Sequence, residues 1–221
     1  MYWMDLSQGD VTFYRDLFGW ESGSGVFTVD GQVVAGHGAP GPPGWNLHAV
    51  VDDVAAVCTA AEELGGEVVL GSPAVATLAD PAGAVFVVRE PGPRAELLHR
   101  PMTFSWAELC TPDVGAARSF YSALFEWDTV DVSMSMPSGP VDYTVFLAGT
   151  AEAAGLLPAA GPPCWLAYVE ATDADAVAAD VVRLGGEVLA EPFDVPRIGR
   201  IALLAGRSGE TFAVMEMPGG G

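Results

Sequence analysis

The 221-residue chain is 50% hydrophobic and only 17% charged, with a mean hydropathy of +0.32, so it can bury a sizeable core and does not have the composition of a disordered chain. Nine arginines, no lysine and 29 acidic residues give a net charge of −20, which repels phosphate backbones and anionic lipid surfaces. We therefore expect a small-molecule partner, with neither nucleic acid nor a membrane, and no Schiff-base chemistry.

The sequence also favours a reducing compartment. No apolar run approaches the ~20 residues that a membrane helix needs, and the beginning "MYWMDLSQGD" lacks the basic and apolar regions of a secretory signal. The three cysteines, Cys58, Cys110 and Cys164, are an odd number at unrelated spacings. They predict neither a disulfide framework nor a zinc site, and we expect a cytoplasmic protein.

Strand and helix patterns follow one another in a fixed order. A strand and a short amphipathic helix open the chain in "WMDLSQGDVTFYRDLFGW", and a second helix ends on glycine in "AAEELGG". The later strands "SWAELC" and "WLAYVEA" each precede a longer helix, and "GRIALLAGRSGETFAVMEM" predicts a closing hairpin. This order predicts four βαβββ modules whose strands curl into open sheets with helices outside.

The chain is an internal repeat. All six tryptophans form pairs, Trp3 with Trp106, Trp20 with Trp127 and Trp45 with Trp165, and "FYRDLFGW" matches "FYSALFEW". We expect two domains, residues 1–98 and 102–221, joined by the linker "GPRAELLHRP".

The first domain is a shortened copy of the second. Between matched landmarks it lacks four residues in its first helix segment, 13 before the third tryptophan and six near its end. These cuts remove a helical turn, much of a strand pair and a loop like "DVPRIGR". Two roles stay open for this half: completing the core and covering its partner, or shaping an enlarged ligand opening.

These motifs carry a family resemblance over nearly the whole chain. Trp-x-Glu-Leu-x-Thr-Pro-Asp, Phe-Tyr-x-x-Leu-Phe-x-Trp, Leu-Gly-Gly and "DPAG" resemble the vicinal oxygen chelate superfamily, in particular its tandem-domain glyoxalase, bleomycin-resistance and dioxygenase-like members. The resemblance implies an α+β fold of tandem domains. It leaves the function open, because the superfamily includes metal-dependent lyases, isomerases and dioxygenases as well as metal-free drug-binding proteins.

The resemblance also locates the positions at which metal-dependent relatives hold their ion. Trp3, Trp106, Asn46, Leu166, Val87 and Ala213 stand at those positions, and five of the six cannot ligate a divalent cation. We therefore expect no metal and no other cofactor. His37, His48 and Asp5 are the remaining candidates in the first half, although "AGHGAPG" suggests a loop for His37 and a strand's polar edge is expected for His48.

The unshortened second half is the expected ligand site. Strand parity places Trp106, Glu108 and Cys110 on one face and Leu166, Tyr168 and Glu170 on the matching face of another strand, with Met215 on the closing strand and Tyr143 as a further candidate. The alternative is that Trp106 and Tyr168 are ordinary core aromatics and that Glu108 is a rim charge or a salt-bridge partner of Arg200. The secondary candidates are Trp3, Asp5, His37, Asn46, His48 and Arg89.

Two functions remain open from the sequence. In the first, a metal-free cup binds an aromatic natural product, cationic or neutral, for sequestration or antibiotic self-resistance. In the second, Glu108 or Glu170 acts as an acid–base catalyst in a biosynthetic isomerase, cyclase or lyase. A metal-dependent glyoxalase or dioxygenase-like enzyme is a third alternative, and we expect a monomer or a homodimer.

Overall fold

The computed structural model describes residues 2–39, 41–92 and 95–218, and for Tyr2 and Trp3 it describes the backbone alone. Four helices lie within these residues: Val11–Phe18 (α1), Val54–Glu63 (α2), Val114–Phe125 (α3) and Ala174–Arg183 (α4). None of them is long and apolar enough to span a membrane.

Each half of the chain forms its own eight-stranded sheet. The first sheet has the order β2-β3-β4-β1-β5-β8-β7-β6, and the second repeats it as β10-β11-β12-β9-β13-β16-β15-β14. The first-sheet strands are Tyr2–Ser7 (β1), Glu21–Gly23 (β2), Val26–Val29 (β3), Gln32–His37 (β4), Gly44–Val50 (β5), Glu67–Ser72 (β6), Val75–Ala79 (β7) and Val85–Arg89 (β8). The second-sheet strands are Phe104–Thr111 (β9), Asp128–Met136 (β10), Gly139–Ala148 (β11), Ala151–Pro158 (β12), Cys164–Ala171 (β13), Glu187–Val195 (β14), Gly199–Ala205 (β15) and Thr211–Glu216 (β16). The predicted α+β fold of four βαβββ modules is confirmed.

All four helices begin in the same way. Asp10, Asp53, Asp113 and Asp173 precede α1 to α4, and each carboxylate accepts a hydrogen bond from the backbone N–H three residues later. This pairs one of the N–H groups that every helix leaves free at its N-terminus. The repeated aspartate explains why the modules begin their helices at matched positions.

The faces that carry the helices meet in one core. Buried side chains of both sheets and all four helices belong to a single hydrophobic cluster, in which Tyr14 lies 5.5 Å from Phe212 and Phe86 lies 5.4 Å from Tyr121 between ring centroids. The aromatic landmarks of the repeat are therefore core residues shared between the halves. The opposite face of each sheet is left for the candidate site.

The first sheet is smaller than the second where the sequence predicted it. Helix α1 has eight residues against 12 in α3, strands β2 and β3 have three and four against nine and ten in β10 and β11, and β6 has six against nine in β14. In the second sheet the long edge strands β10 and β14 come into contact. That sheet therefore curls until its edges meet.

Candidate functional site

A buried carboxyl group lies at the centre of the second sheet's inner face. Glu108 is 5% exposed, its Oε1 accepts a hydrogen bond of 2.9 Å from the Tyr168 hydroxyl, and the Cys110 thiol lies 3.7 Å from the same oxygen. Beside them the Trp106 indole N–H donates to the Tyr143 hydroxyl at 2.8 Å. The predicted residues Trp106, Glu108 and Cys110 of β9 thus lie together with Tyr168 of β13 and Tyr143 of β11.

The surroundings of Glu108 favour its neutral form. Burial raises the pKa of this carboxyl group, and hydrogen bonds from Tyr168, Tyr143 and Cys110 oppose the rise only in part. Burial, reinforced by the Glu108 charge, also raises the pKa of the Tyr168 and Tyr143 hydroxyls. At neutral pH both phenols are therefore hydrogen-bond donors.

The second sheet fills its own interior with apolar side chains. Leu166, Tyr168 and Ala213 form a buried cluster, which is completed by residues of the opposite wall and the long edge strands: Met134, Met136, Phe193, Val195, Ile198, Ile201, Leu203 and Met215. Trp106 packs against the same cluster. The longer strands of this half thus supply the side chains that occupy its cup.

Two further predicted residues of this half lie apart from the buried carboxyl group. Glu170 is half-buried near the end of β13, where its backbone pairs with Met102 and Thr103. Arg200 forms ion pairs with Asp175 and Asp194 at the surface. The alternative in which Arg200 pairs with Glu108 is therefore wrong.

The inner face of the shortened first sheet lines a cavity of about 770 Å³. Its polar wall includes Asp5, His37, His48, Thr77 and Arg89, and its apolar wall includes Val26, Leu70 and Val75. Asp5 is 4% exposed and accepts a hydrogen bond from the backbone N–H of Ala39 at 3.1 Å. Burial lowers the pKa of Arg89, and the negative charge of Asp5 opposes this effect because it favours the charged guanidinium group. Four of the six secondary candidates, Asp5, His37, His48 and Arg89, thus line one open space.

His48 is the most unusual group in this cavity. It is 3% exposed, and neither ring nitrogen has a hydrogen-bond partner among the described residues. Burial, assisted by the positive charge of Arg89, lowers the pKa of His48 to about 4, so the ring is neutral at physiological pH. Buried polar atoms are rarely left unpaired, and such an atom beside a cavity points to a ligand or water in that cavity.

Both sequence-based placements of the histidines are wrong. His37 is the last residue of β4, opposite Leu6 in a parallel pair, because β4 continues further than the glycines of "AGHGAPG" suggest. His48 lies inside β5, which pairs with β1 on one side and β8 on the other, so its strand is not an edge of the sheet, and its side chain is buried. His37 also has a buried, unpartnered Nε2 among the described residues, and its ring centroid lies 4.8 Å from that of Phe27.

The strand registers show how the two inner faces correspond. His48 is opposite Trp3 as Tyr168 is opposite Trp106, and Asp5 is opposite Asn46 as Glu108 is opposite Leu166. Both sheets thus place an acidic residue on the central strand and a ring with a polar atom on the neighbouring strand. Of the secondary candidates, the Trp3 side chain lies outside the described residues.

A second cavity, of about 520 Å³, lies between the sheets. Its walls include Phe86, Phe125, Trp127 and Trp165. Around the matching tryptophans Trp20 and Trp45, Phe104 packs with ring centroids 5.8 and 4.9 Å away, and the Trp20 indole donates to the Met102 carbonyl oxygen. The start of β9 and the residues just before it therefore fill one side of the shared core.

Relatives with known descriptions cover nearly the whole chain. It is 34% identical to the Mycobacterium tuberculosis protein CFP32, named as a candidate glyoxylase, over 97% of this chain and 93% of the relative. It is also 34% identical to the anthracycline biosynthesis protein DnrV of Streptomyces peucetius, over 97% and 92% respectively. The alignments extend over 247 and 258 positions, so these relatives carry residues that this chain lacks. No family model matches the chain.

Solved structures agree in fold. A Mn(II)-bound glyoxalase from Novosphingobium aromaticivorans has a TM-score of 0.59 at 16% identity, covering 97% of this chain and 80% of that one. A 2,2',3-trihydroxybiphenyl 1,2-dioxygenase from Sphingomonas wittichii has a TM-score of 0.58 at 18% identity, covering 97% and 88%. The chain belongs to the vicinal oxygen chelate superfamily.

The residues at the superfamily's metal positions do not fit a metal ion in this chain. Leu166 and Ala213 lie within the apolar cluster of the second sheet. In the first sheet Val87 is buried, and the Asn46 amide group donates to the carbonyl oxygens of Pro42 and Gly44, at 2.9 Å each. No group of three or more His, Cys, Asp or Glu side chains in the described part of the chain is placed to hold an ion. No step of a reaction is therefore assigned to a metal here.

Sequence reasoning missed two residues of these surfaces. Thr77, a residue of β7, lines the first cavity. It is the register partner of Val87 on β8, so that strand pairing would have identified Thr77 as a lining residue. Cys164 lies directly opposite Cys110 in the second sheet. The matching stretches "GPPGW" and "GPPCW" mark the starts of β5 and β13. This match was the only signal in the sequence for the register that places Cys164 opposite Cys110.

Proposed function

We propose that this protein binds a small aromatic natural product without a metal, in the cavity of its first sheet. The observation that carries the proposal is His48, a buried neutral ring whose two nitrogens have no partner among the described residues and which faces a cavity of about 770 Å³. A ligand hydroxyl or carbonyl group that hydrogen-bonds to this ring would remove the cost of an unpaired buried polar atom. The function is sequestration, in the cytoplasm.

The walls of the cavity determine which ligands are compatible. Val26, Leu70 and Val75 offer apolar surface to a ring system, and Asp5 and Arg89 offer one acceptor group and one donor group. The net charge of −20 attracts cationic ligands over longer distances. A relative named for anthracycline biosynthesis supports a polycyclic aromatic ligand as the first compound to test.

This choice of sheet differs from the expectation drawn from the sequence. The second-sheet residues Trp106, Glu108, Tyr143 and Tyr168 remain a candidate surface, but their own apolar neighbours pack over it. A ligand there would have to displace Met134, Met136 or Phe193 from the interior. The shortened first sheet needs no such rearrangement, which supports the role in shaping a ligand opening.

The test is a calorimetric titration of the purified full chain with an anthracycline, repeated with two matched variants. His48→Phe keeps a ring in place and removes both nitrogens, and we expect it to weaken binding by about 1 kcal/mol or more, roughly tenfold. Tyr168→Phe, at the corresponding position of the second sheet, should leave the affinity unchanged. Neither nitrogen of the His48 ring has a hydrogen-bond partner among the described residues, so His48→Phe breaks no hydrogen bond there, and the variant should remain folded.

The two variants separate the possible outcomes. Weaker binding by Tyr168→Phe alone would place the ligand in the second sheet and refute the first-sheet proposal. If both variants bind as tightly as the wild type, the first-sheet proposal is also contradicted. The same holds if the wild-type protein binds neither anthracyclines nor other polycyclic aromatic amines or phenols.

An enzyme is the second candidate function, favoured by the raised pKa of Glu108. Burial raises the pKa of the Glu108 carboxyl group, which favours the form that can protonate a substrate, and perturbed groups of this kind cluster at active sites. Mass analysis of the recovered ligand distinguishes the two functions, since a sequestering protein returns it unchanged. If the ligand is converted, Glu108→Gln should abolish the conversion while binding remains.

A further inference from the structure

Two cysteines of the second sheet face each other across neighbouring strands. Cys164, the first residue of β13, is the register partner of Cys110 near the end of β9 in an antiparallel pair. Directly opposed residues in such a pair have Cα atoms about 4.5 or 5.5 Å apart. This separation lies inside the range of about 4.4–6.8 Å in which a disulfide closes without moving the backbone.

The two thiols have different surroundings. Cys164 is exposed, whereas Cys110 is half-buried and its Sγ lies 3.7 Å from Glu108 Oε1. Hydrogen bonding from the Cys110 thiol lowers the pKa of Cys164 to about 7, against the opposing effects of burial and of the Glu108 charge. The same interaction raises the pKa of Cys110. The exposed thiol is thus the one that ionises more readily, and it lies next to a thiol that holds its proton more firmly, which is the arrangement of an attacking and a resolving cysteine.

We propose that Cys110 and Cys164 are a reactive dithiol site, which a hydroperoxide converts into a reversible cross-strand disulfide. The site is independent of the proposed ligand cavity, which lies in the other sheet. The repeat does not require it, because the corresponding register partners in the first sheet are Ser7 and Gly44.

The reaction balances in two steps. The Cys164 thiolate attacks the terminal peroxide oxygen, the O–O bond breaks, and Cys164 becomes a sulfenic acid. The alkoxide that leaves, or hydroxide when the oxidant is hydrogen peroxide, takes from the solvent the proton that Cys164 released when it ionised, and forms an alcohol or water. The Cys110 sulfur then attacks the Cys164 sulfur, the S–O bond breaks, and the hydroxide that leaves takes the Cys110 proton to form water. Two electrons pass from the thiols to the peroxide, and a thiol reductant restores both cysteines.

Oxidation would also change the buried carboxyl group. The Cys110 thiol has one hydrogen, which it can donate either to the Cys164 sulfur or to Glu108, where it stabilises the charged carboxylate; a disulfide sulfur has no hydrogen to donate. The Glu108 pKa should therefore rise further when the disulfide closes. The dithiol site thereby connects the rim of the second sheet with its interior.

The test uses the full chain treated with hydrogen peroxide, followed by blocking of free thiols with N-ethylmaleimide and digestion with trypsin. The chain contains no lysine and trypsin does not cleave between Arg100 and Pro101, so the three cysteines fall on separate peptides: 16–89, 95–118 and 119–183. We expect a disulfide between the second and third peptides that dithiothreitol reverses, with Cys58 carrying the maleimide. Before oxidation, Cys164 should react with maleimide more than about tenfold faster than Cys58 at pH 7, because burial raises the pKa of Cys58.

Two variants complete the experiment. Cys110→Ser should leave Cys164 as a sulfenic acid that dimedone traps, and Cys58→Ser should form the same disulfide as the wild-type protein. A disulfide that joins two chains, a disulfide that includes Cys58, or oxidation of Cys164 to sulfinic acid without a cross-link would each overturn the proposal. So would two thiols that remain free under peroxide excess.

Discussion

Among the polar contacts between the two halves is a buried tyrosine whose repeat partner forms no hydrogen bond among the described residues. In α3, the Tyr121 hydroxyl donates to Asp80 Oδ2 of the other half at 3.2 Å and accepts the Trp165 indole N–H at 3.1 Å. In α1, the matching Tyr14 hydroxyl is buried near Trp45 but has no hydrogen bond of acceptable geometry among the described residues. Removing the hydroxyl group of Tyr121 and that of Tyr14 therefore compares a hydrogen-bonded tyrosine with its counterpart in the repeat.

The expected loss follows from what each change leaves behind. Tyr121→Phe leaves a buried indole N–H and one carboxylate oxygen of Asp80 without this partner, although Asp80 Oδ1 keeps the N–H groups of Ala82 and Ala84. An unpaired buried group costs about 1–3 kcal/mol, so the free energy of unfolding should fall by about 2–4 kcal/mol. Tyr14→Phe removes a hydroxyl that has no hydrogen-bond partner in the described part of the chain, and it should change the free energy of unfolding by less than about 0.5 kcal/mol.

Urea denaturation followed by tryptophan fluorescence and by circular dichroism measures both variants. Coincident transitions and an unchanged m-value would show that the two halves still unfold as one unit, whereas separated transitions for Tyr121→Phe would show that this tyrosine couples them. Equal losses in the two variants, or a Tyr121→Phe protein within about 0.5 kcal/mol of the wild type, would refute the reasoning.

Four further outcomes are expected. Gly155→Ala should lower the free energy of unfolding by about 1–3 kcal/mol in the same assay, because the new Cβ would lie 1.7 Å from the Tyr143 hydroxyl and 2.7 Å from the Trp106 indole nitrogen. In the control variant Gly115→Ala, in α3, the new Cβ meets only a contact of 3.6 Å, and this variant should not lose stability in that way. Burial raises the folded-state pKa of Glu108, so the stability of the wild-type protein should fall as pH rises from the usual carboxyl range through that pKa. Glu108→Gln should remove this pH-dependent part of the stability. Parallel pH profiles of stability for the wild type and the variant would contradict the prediction. Elemental analysis after dialysis should find no stoichiometric transition metal, and about one ion per chain would contradict the metal-free proposal. Light scattering should find a monomer or a homodimer, and a larger assembly would contradict that expectation.

The fold was predictable because its signals are local and repeated. Paired tryptophans, the Phe-Tyr and Leu-Gly-Gly landmarks and the periods of strands and helices identified four modules, and the missing residues located the shortened strands. Strand parity also placed Trp106, Glu108 and Tyr168 on a common face, since alternation along a strand needs no knowledge of its neighbours. That part of the candidate site was a consequence of sequence alone.

Tertiary structure decided the remaining features, because each depends on residues far apart in the chain. Contact between the edge strands β10 and β14 brings their side chains into the second cup and fills it, whereas the shortened first sheet leaves its cavity open. His48 is buried in a strand that lies between β1 and β8 and not at an edge of the sheet, a position that no pattern within β5 reveals. Cys110 and Cys164 meet through the register of β9 and β13, which the hydrogen bonds of the assembled sheet determine and their spacing in the sequence does not.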